Sequence, residues 1–95
     1  MTPEGKVKKK VTDLLKKLGL YYFCPQTGGY GKSGVPDIII CAHGDFIAVE
    51  CKAGDNKPTD LQYAQLNKIR AAGGKAWIVN ENTFGAFEAW IVPSE

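Results

Sequence analysis

The chain has 95 residues, 44% of them hydrophobic, and a formal net charge of +2. That length points to one domain spanning 1–95, near the lower limit for a self-sufficient core, and no apolar run approaches the roughly 20 residues of a membrane span. Cys24, Cys41 and Cys51 show no CxxC spacing and His43 is the single histidine, which disfavours a disulfide framework, a zinc site and a Ser/His/Asp triad.

The N-terminus turns lysine-rich with no apolar signal-peptide core, so a cytoplasmic location is expected. Thr2-Pro3-Glu4 predicts a helix start: a Thr cap, Pro at the first position, an acid in the first turn. Val7, Val11, Leu14, Leu15 and Leu18 recur at helical spacing as one apolar stripe, and Gly19 is a natural stop. Lys6, Lys9, Lys10, Lys16 and Lys17 gather opposite the stripe. This basic face permits nucleic-acid contact without requiring it. At about 100° per residue Glu4 falls near Val11 and Leu15, on the inward side.

Leu20 to Cys24 reads as a strand, and the glycine-rich stretch from Pro25 to Gly34 as a loop. The loop glycines let backbone approach a ligand. Lys32 and Ser33 can contact phosphate and Tyr30 can stack on a base; the alternative is a plain connector. The stretch matches neither a P-loop nor a Rossmann fingerprint. Val35–Cys41 and Phe46–Ala53 are predicted strands joined by the turn Ala42-His43-Gly44-Asp45, with no chemical role for His43. Both are apolar on both faces, which predicts central strands covered by helices on each side. Thr59 can cap a helix from Asp60 to about Ala72, closed by Gly73-Gly74. Lys75–Val79 then returns parallel to an earlier strand. Asn82 or Thr83 can cap a last short helix carrying Phe84, Phe87 and Trp90. The order α-β-β-β-α-β-α predicts an α/β fold, one mixed sheet flanked by helices. Trp77, Phe84, Phe87 and Trp90 are expected in the core or a dimer interface.

Asp37, Glu50 and Lys52 are three charges within the two most apolar segments. Burying such groups costs several kcal/mol unless they are paired or do chemistry. Alternation puts Glu50 and Lys52 on one strand face, and the hairpin can bring Asp37 beside them. Two carboxylates suit a hard divalent cation such as Mg²⁺, and the backbone carbonyl of Cys51 can add a third oxygen, its thiol pointing into the core. Lys52 can orient or deprotonate a water, or neutralise charge on a phosphorane-like transition state. The bland alternative is a same-face ion pair, with Asp37 capping a turn after Pro36.

Pro36-Asp37, then Glu50-Cys51-Lys52, then a helix carrying Gln62, resembles the PD-(D/E)XK nuclease superfamily. With Gly34-x-Pro36-Asp37 and Thr59-x-x-Gln62 ahead of Ala71-Ala72-Gly73-Gly74, the chain looks like a stand-alone VRR-NUC domain of phage and bacterial type. The likeness runs from the first helix to Val79. It implies a restriction-endonuclease-like αβββαβ core and Mg²⁺- or Mn²⁺-dependent cleavage of DNA. Asp37 and Glu50 are then metal ligands, Lys52 the catalytic lysine and Gln62 the family's glutamine, with Gln65 one turn further as the alternative. Glu4 matches a first-helix acid that some members hold near the metal, or serves the helix dipole. Stand-alone members resemble Holliday junction resolvases, so a homodimer acting on branched DNA is expected. A flap or nicking nuclease, or a non-catalytic nucleic-acid-binding module on the same fold, is the alternative.

Overall fold

The computed structural model describes residues 1–26 and 34–93. Helix α1 spans Pro3–Leu18. It starts as predicted: the Thr2 hydroxyl accepts from the Gly5 N–H, Pro3 opens the first turn, and Gly19 closes the helix at φ 69°. Its stripe of Val7, Val11, Leu14 and Leu15 is buried, while Lys6, Lys9, Lys10, Lys16 and Lys17 are exposed.

The strands are β1 (Tyr21–Phe23), β2 (Ile38–Ala42), β3 (Asp45–Cys51) and β4 (Lys75–Val79). They form one sheet in sequence order. The β1–β2 and β2–β3 pairs are antiparallel and β3–β4 is parallel. A two-residue turn closes the β2–β3 hairpin, with His43 at φ 56° and Gly44 at φ 80°. Two successive positive φ values match the right-handed twist of the strands they join. His43 is exposed, but its Nε2 also lies 3.2 Å from the Ile91 carbonyl and ties the turn to the end of the last helix.

Strand β2 begins at Ile38 rather than Val35. Pro36 has no N–H to give the ladder. At the next position the Asp37 side chain, instead of a backbone carbonyl, accepts the Cys51 N–H at 2.8 Å.

Helix α2 (Asp60–Ala71) carries a full capping box: the Thr59 hydroxyl takes the Gln62 N–H and the Gln62 side chain takes the Thr59 N–H. Helix α3 (Phe84–Ile91) begins after Thr83, whose side chain makes no cap bond. Asn80 does that work instead, its Oδ1 accepting from the N–H groups of both Asn82 and Thr83.

Helices α1 and α3 cover one face of the sheet. Leu15, Val11, Phe87 and Ile91 meet Ile38, Ile40, Ile47, Val49, Cys51 and Val79 there in one cluster. Each such side chain contributes about 1.5–3 kcal/mol by leaving water. Phe87 is fully buried and packs edge-on to Trp77, so that part of the aromatic cluster is core. Helix α2 packs against β3 and β4 and buries Leu66. The prediction that β2 is covered on both sides does not hold. Ile39 is half-buried and Cys41 exposed on the face opposite the core, because α2 does not reach over β1 and β2. Among the described residues no helix is long and apolar enough to cross a membrane.

Candidate active site

The β2–β3 register aligns Ile38 with Val49. Asp37 therefore stands opposite Glu50 at the end of the hairpin away from the turn. The bond from the Cys51 N–H fixes the Asp37 carboxylate there. Lys52 follows directly, and its N–H still bonds the Val79 carbonyl at 2.9 Å, extending the ladder one residue past β3. Its Nζ lies 3.6 Å from Glu50 Oε2 and 3.5 Å from Glu4 Oε1. The alternation of Glu50 and Lys52 and the inward lean of Glu4 thus bring four charged side chains to one end of the sheet, with α1 supplying the fourth.

Glu50 is 1% exposed, and its Oε1 has no hydrogen-bond partner among the described residues. Burial, and after it the neighbouring Asp37 charge, push its carboxyl up to about 8, against the opposing pull of Lys52. Glu50 Oε2 makes the same-face ion pair with Lys52, while the buried Oε1 is left without a partner among the described residues. The Lys52 side chain is 11% exposed. Burial also raises the Cys51 thiol far above its ordinary range, which leaves it an uncharged core group.

No group of three or more His, Cys, Asp or Glu side chains able to hold a metal ion occurs among the described residues. The candidate donors are the two carboxylates of Asp37 and Glu50, with the Cys51 carbonyl beside them. That oxygen-only set fits a hard cation that keeps several of its waters, and the unpartnered Glu50 Oε1 offers it a free lone pair.

The hydrogen bonds of Gln62 go to Thr59: its Oε1 accepts the Thr59 N–H at 2.9 Å. No bond joins Gln62 to Asp37, Glu50 or Lys52. Gln65, one turn on, is half-buried on the same helix. Tyr30, Lys32 and Ser33 lie outside the described residues.

Gly34 has a physical reason that sequence reasoning left unstated. At φ 80°, a Cβ there would sit 2.6 Å from the Leu61 carbonyl carbon and oxygen and 2.8 Å from the Gln62 nitrogen. The segment entering Asp37 thus rests directly on the first turn of α2. A glycine two residues before Pro-Asp is the signal that marks it.

No family model matches the sequence, and no curated protein matches it. Solved structures do. A VRR_NUC domain superposes with a TM-score of 0.68 at 25% identity, over 84% of this chain and 86% of that one. Hjc of Archaeoglobus fulgidus, a Holliday junction resolvase from an archaeal hyperthermophile, superposes with a TM-score of 0.60 at 19% identity, over 80% of this chain and 66% of that one. Four strands in order, an antiparallel hairpin ending in Asp37 and Glu50, and a parallel β4 beyond α2 are thus the PD-(D/E)XK-type nuclease fold shared with a VRR_NUC domain and an archaeal resolvase.

Proposed function

We propose that this chain is a divalent-metal-dependent DNA endonuclease acting on branched DNA, with a four-way junction as its preferred substrate and a homodimer as its working form. The observation that carries the proposal is Glu50: a buried carboxyl with a free oxygen and a raised proton affinity, between Asp37 and Lys52 on a nuclease fold. Asp37 and Glu50, with the Cys51 carbonyl, would hold Mg²⁺ or Mn²⁺. The chemistry such an ion supplies when bound is Lewis-acid stabilisation of charge on phosphate oxygens.

The chain's own groups do the rest. Lys52 is anchored by the ladder bond of its N–H and steered by two carboxylates, so its Nζ is held near the acids without a short bond to either. From there the ammonium orients an attacking water and offsets negative charge gathering on the phosphate in the transition state. Glu4 restrains Lys52 from the α1 side. Gln62 anchors the first turn of α2, on which Gly34 and hence Asp37 rest. The exposed lysines of α1 would hold backbone phosphates without reading sequence.

The test is cleavage of four-way junction, flap and linear duplex side by side, with Mg²⁺ or Mn²⁺ and with EDTA. Junction cutting by the wild type, reduced at least about 100-fold in Lys52→Ala, is expected. Equal cutting by both proteins, or none by the wild type on any substrate, returns Asp37, Glu50 and Lys52 to a structural cluster on a DNA-binding module.

A further inference from the structure

Five of the six lysines of α1 are exposed on its outward face; Lys8 is half-buried. At about 100° per residue, Lys8 stands about 40° from Glu4 and about 20° from Leu15, on the flank of the buried stripe. Lys10 lies 4.8 Å over the Phe84 ring, so α3 is on that side of α1. Lys8 is about 160° round the helix from Lys10. Since α3 packs on β4 at one edge of the sheet, Lys8 faces the other way, towards β2 and the segment that enters Asp37. Besides burial, the charges that act on the Cys51 thiol are those of Asp37, Glu50, Lys8 and Glu4. Lys8 thus belongs with the site rather than with the outward lysines.

Among the described residues Lys8 has no ion-pair partner. Its neighbours one turn away on the helix are engaged elsewhere. Glu4 leans to Lys52, with Oε1 3.5 Å from Nζ, and the Thr12 hydroxyl donates to the Lys9 carbonyl. Lys9, by contrast, closes an ordinary i,i+4 pair with Asp13 at 2.6 Å. The sheet supplies no acceptor either. Asp37 Oδ2 takes the Cys51 N–H, Glu50 Oε2 pairs with Lys52, and the Cys51 thiol is uncharged. Glu50 Oε1 is the one buried side-chain N or O atom without a partner among the described residues, so the Lys8 ammonium reaches solvent. Charged groups are rarely drawn in from water unpaired. A half-buried lysine beside the site, paired with none of its acids and open to solvent, has room for an anion from outside.

We propose that Lys8 binds the DNA strand being cut, at a phosphate one or two nucleotides from the one attacked beside Lys52. The proposal rests on the nuclease reading of the site and names its second phosphate contact. Glu4 reaches Lys52, and Lys8 is one turn further along α1, about 6 Å at 1.5 Å per residue. Phosphates of one strand follow one another every ~3.4 Å along a duplex axis. A strand with one phosphate at Lys52 therefore carries another past Lys8. One contact lets a strand pivot over the acids; two fix its direction, which is what orients the scissile bond for attack. The outward lysines are less suited to this. Lys9 is neutralised by Asp13 and Lys10 lies on Phe84. A lysine that merely lays its stem on the core and its head in water would be indifferent to DNA, and the two cases separate by experiment.

Binding of a labelled four-way junction in EDTA, read by fluorescence anisotropy across a salt series, tests this without any cutting. Lys8→Ala should raise Kd about fivefold to tenfold and make the slope of log K against log salt shallower by about 1 per bound chain, the loss of one phosphate contact. Lys8→Arg should keep both. Lys75→Ala, which removes an exposed lysine at the end of β4 away from the site, should match the wild type. Single neutral methylphosphonates, stepped along a strand on either side of the branch, locate the contact. One or two positions should weaken the wild type and cost Lys8→Ala nothing further. Thermal melts check that the variants are folded, and Lys8→Gln takes the place of Lys8→Ala should the latter unfold. An unchanged slope in Lys8→Ala, methylphosphonate effects identical in both proteins, or a wild type that binds no DNA overturns the proposal. Cutting with Mg²⁺ or Mn²⁺ is scored apart. A wild type that binds through Lys8 yet never cuts removes the nuclease reading alone. One that cuts and binds as well without Lys8 removes the proposal alone.

Discussion

Asp37 is held by one bond from the Cys51 N–H and by the seat of Gly34 on α2, and these two supports separate chemistry from position. Asp37→Asn keeps an oxygen for Cys51 but loses the charge. It should abolish metal-dependent cleavage while leaving junction binding in EDTA within about threefold, read by gel shift; loss of binding as well would make Asp37 structural. Gly34→Ala touches no reacting group. Its methyl would meet the Leu61 backbone at a positive φ, so either the α2 start or the Asp37 segment must move. A loss of about 1–3 kcal/mol in urea unfolding is expected, the range for backbone strain, together with a fall in cleavage rate. Full stability and full activity in Gly34→Ala would show the contact to be slack.

At the scale of elements, α2 poses the sharper question, because Gln62 serves its cap, makes no bond to Asp37, Glu50 or Lys52, and yet lies in the turn on which the Asp37 segment rests. Gln62→Glu keeps the acceptor for the Thr59 N–H and adds a favourable charge at the helix start, but loses the amide donor. If the cap is its role, Gln62→Glu should cut DNA at wild-type rate, while Gln62→Ala loses about 1 kcal/mol of stability. A large rate loss in a stable Gln62→Glu would give the amide a part in catalysis. Sequence could not decide this, because one side chain can answer two local signals. Where one signal stood alone it was legible. Thr2-Pro3 and Gly19 bound α1, and His43-Gly44 makes the hairpin, because caps and tight turns depend on a few adjacent residues. The α3 cap was missed because Asn80, Asn82 and Thr83 compete within four positions, and Asn80 wins by reaching two N–H groups at once. The open face of β2 was illegible for another reason. Ile39 and Cys41 read as buried in either case, since a strand apolar on both faces does not say whether a helix of its own chain or another molecule covers it.

For the molecule as a whole, the buried Glu50 ties stability to pH and to metal together. An unfolded glutamate titrates near 4.3, whereas in the folded chain burial and the Asp37 charge push Glu50 up to about 8. The folded state therefore binds this proton more tightly than the unfolded state. Its contribution to stability is fully present below about pH 4.3 and is lost as pH rises from there to about 8, flattening above that. Ionising Glu50 in its buried place costs a few kcal/mol, so the metal-free protein should melt at least about 5 °C lower at pH 8.5 than at pH 5.5, given the 4–8 °C per kcal/mol of a small domain. A divalent ion requires the ionised carboxylate and displaces the proton. Mg²⁺ should accordingly add little to the melting temperature at pH 5.5 and several degrees at pH 8.5, where saturation at 100 times Kd contributes about 2.7 kcal/mol. Glu50→Gln mimics the protonated acid, so it should flatten the pH slope and remove the metal response at once. His43→Asn, which suits the positive φ of the turn, takes the chain's one imidazole out of the comparison. Differential scanning fluorimetry at constant ionic strength reads all four quantities. A metal shift equal at both pH values, or a pH slope that persists in Glu50→Gln, would remove Glu50 as the group through which proton and metal compete.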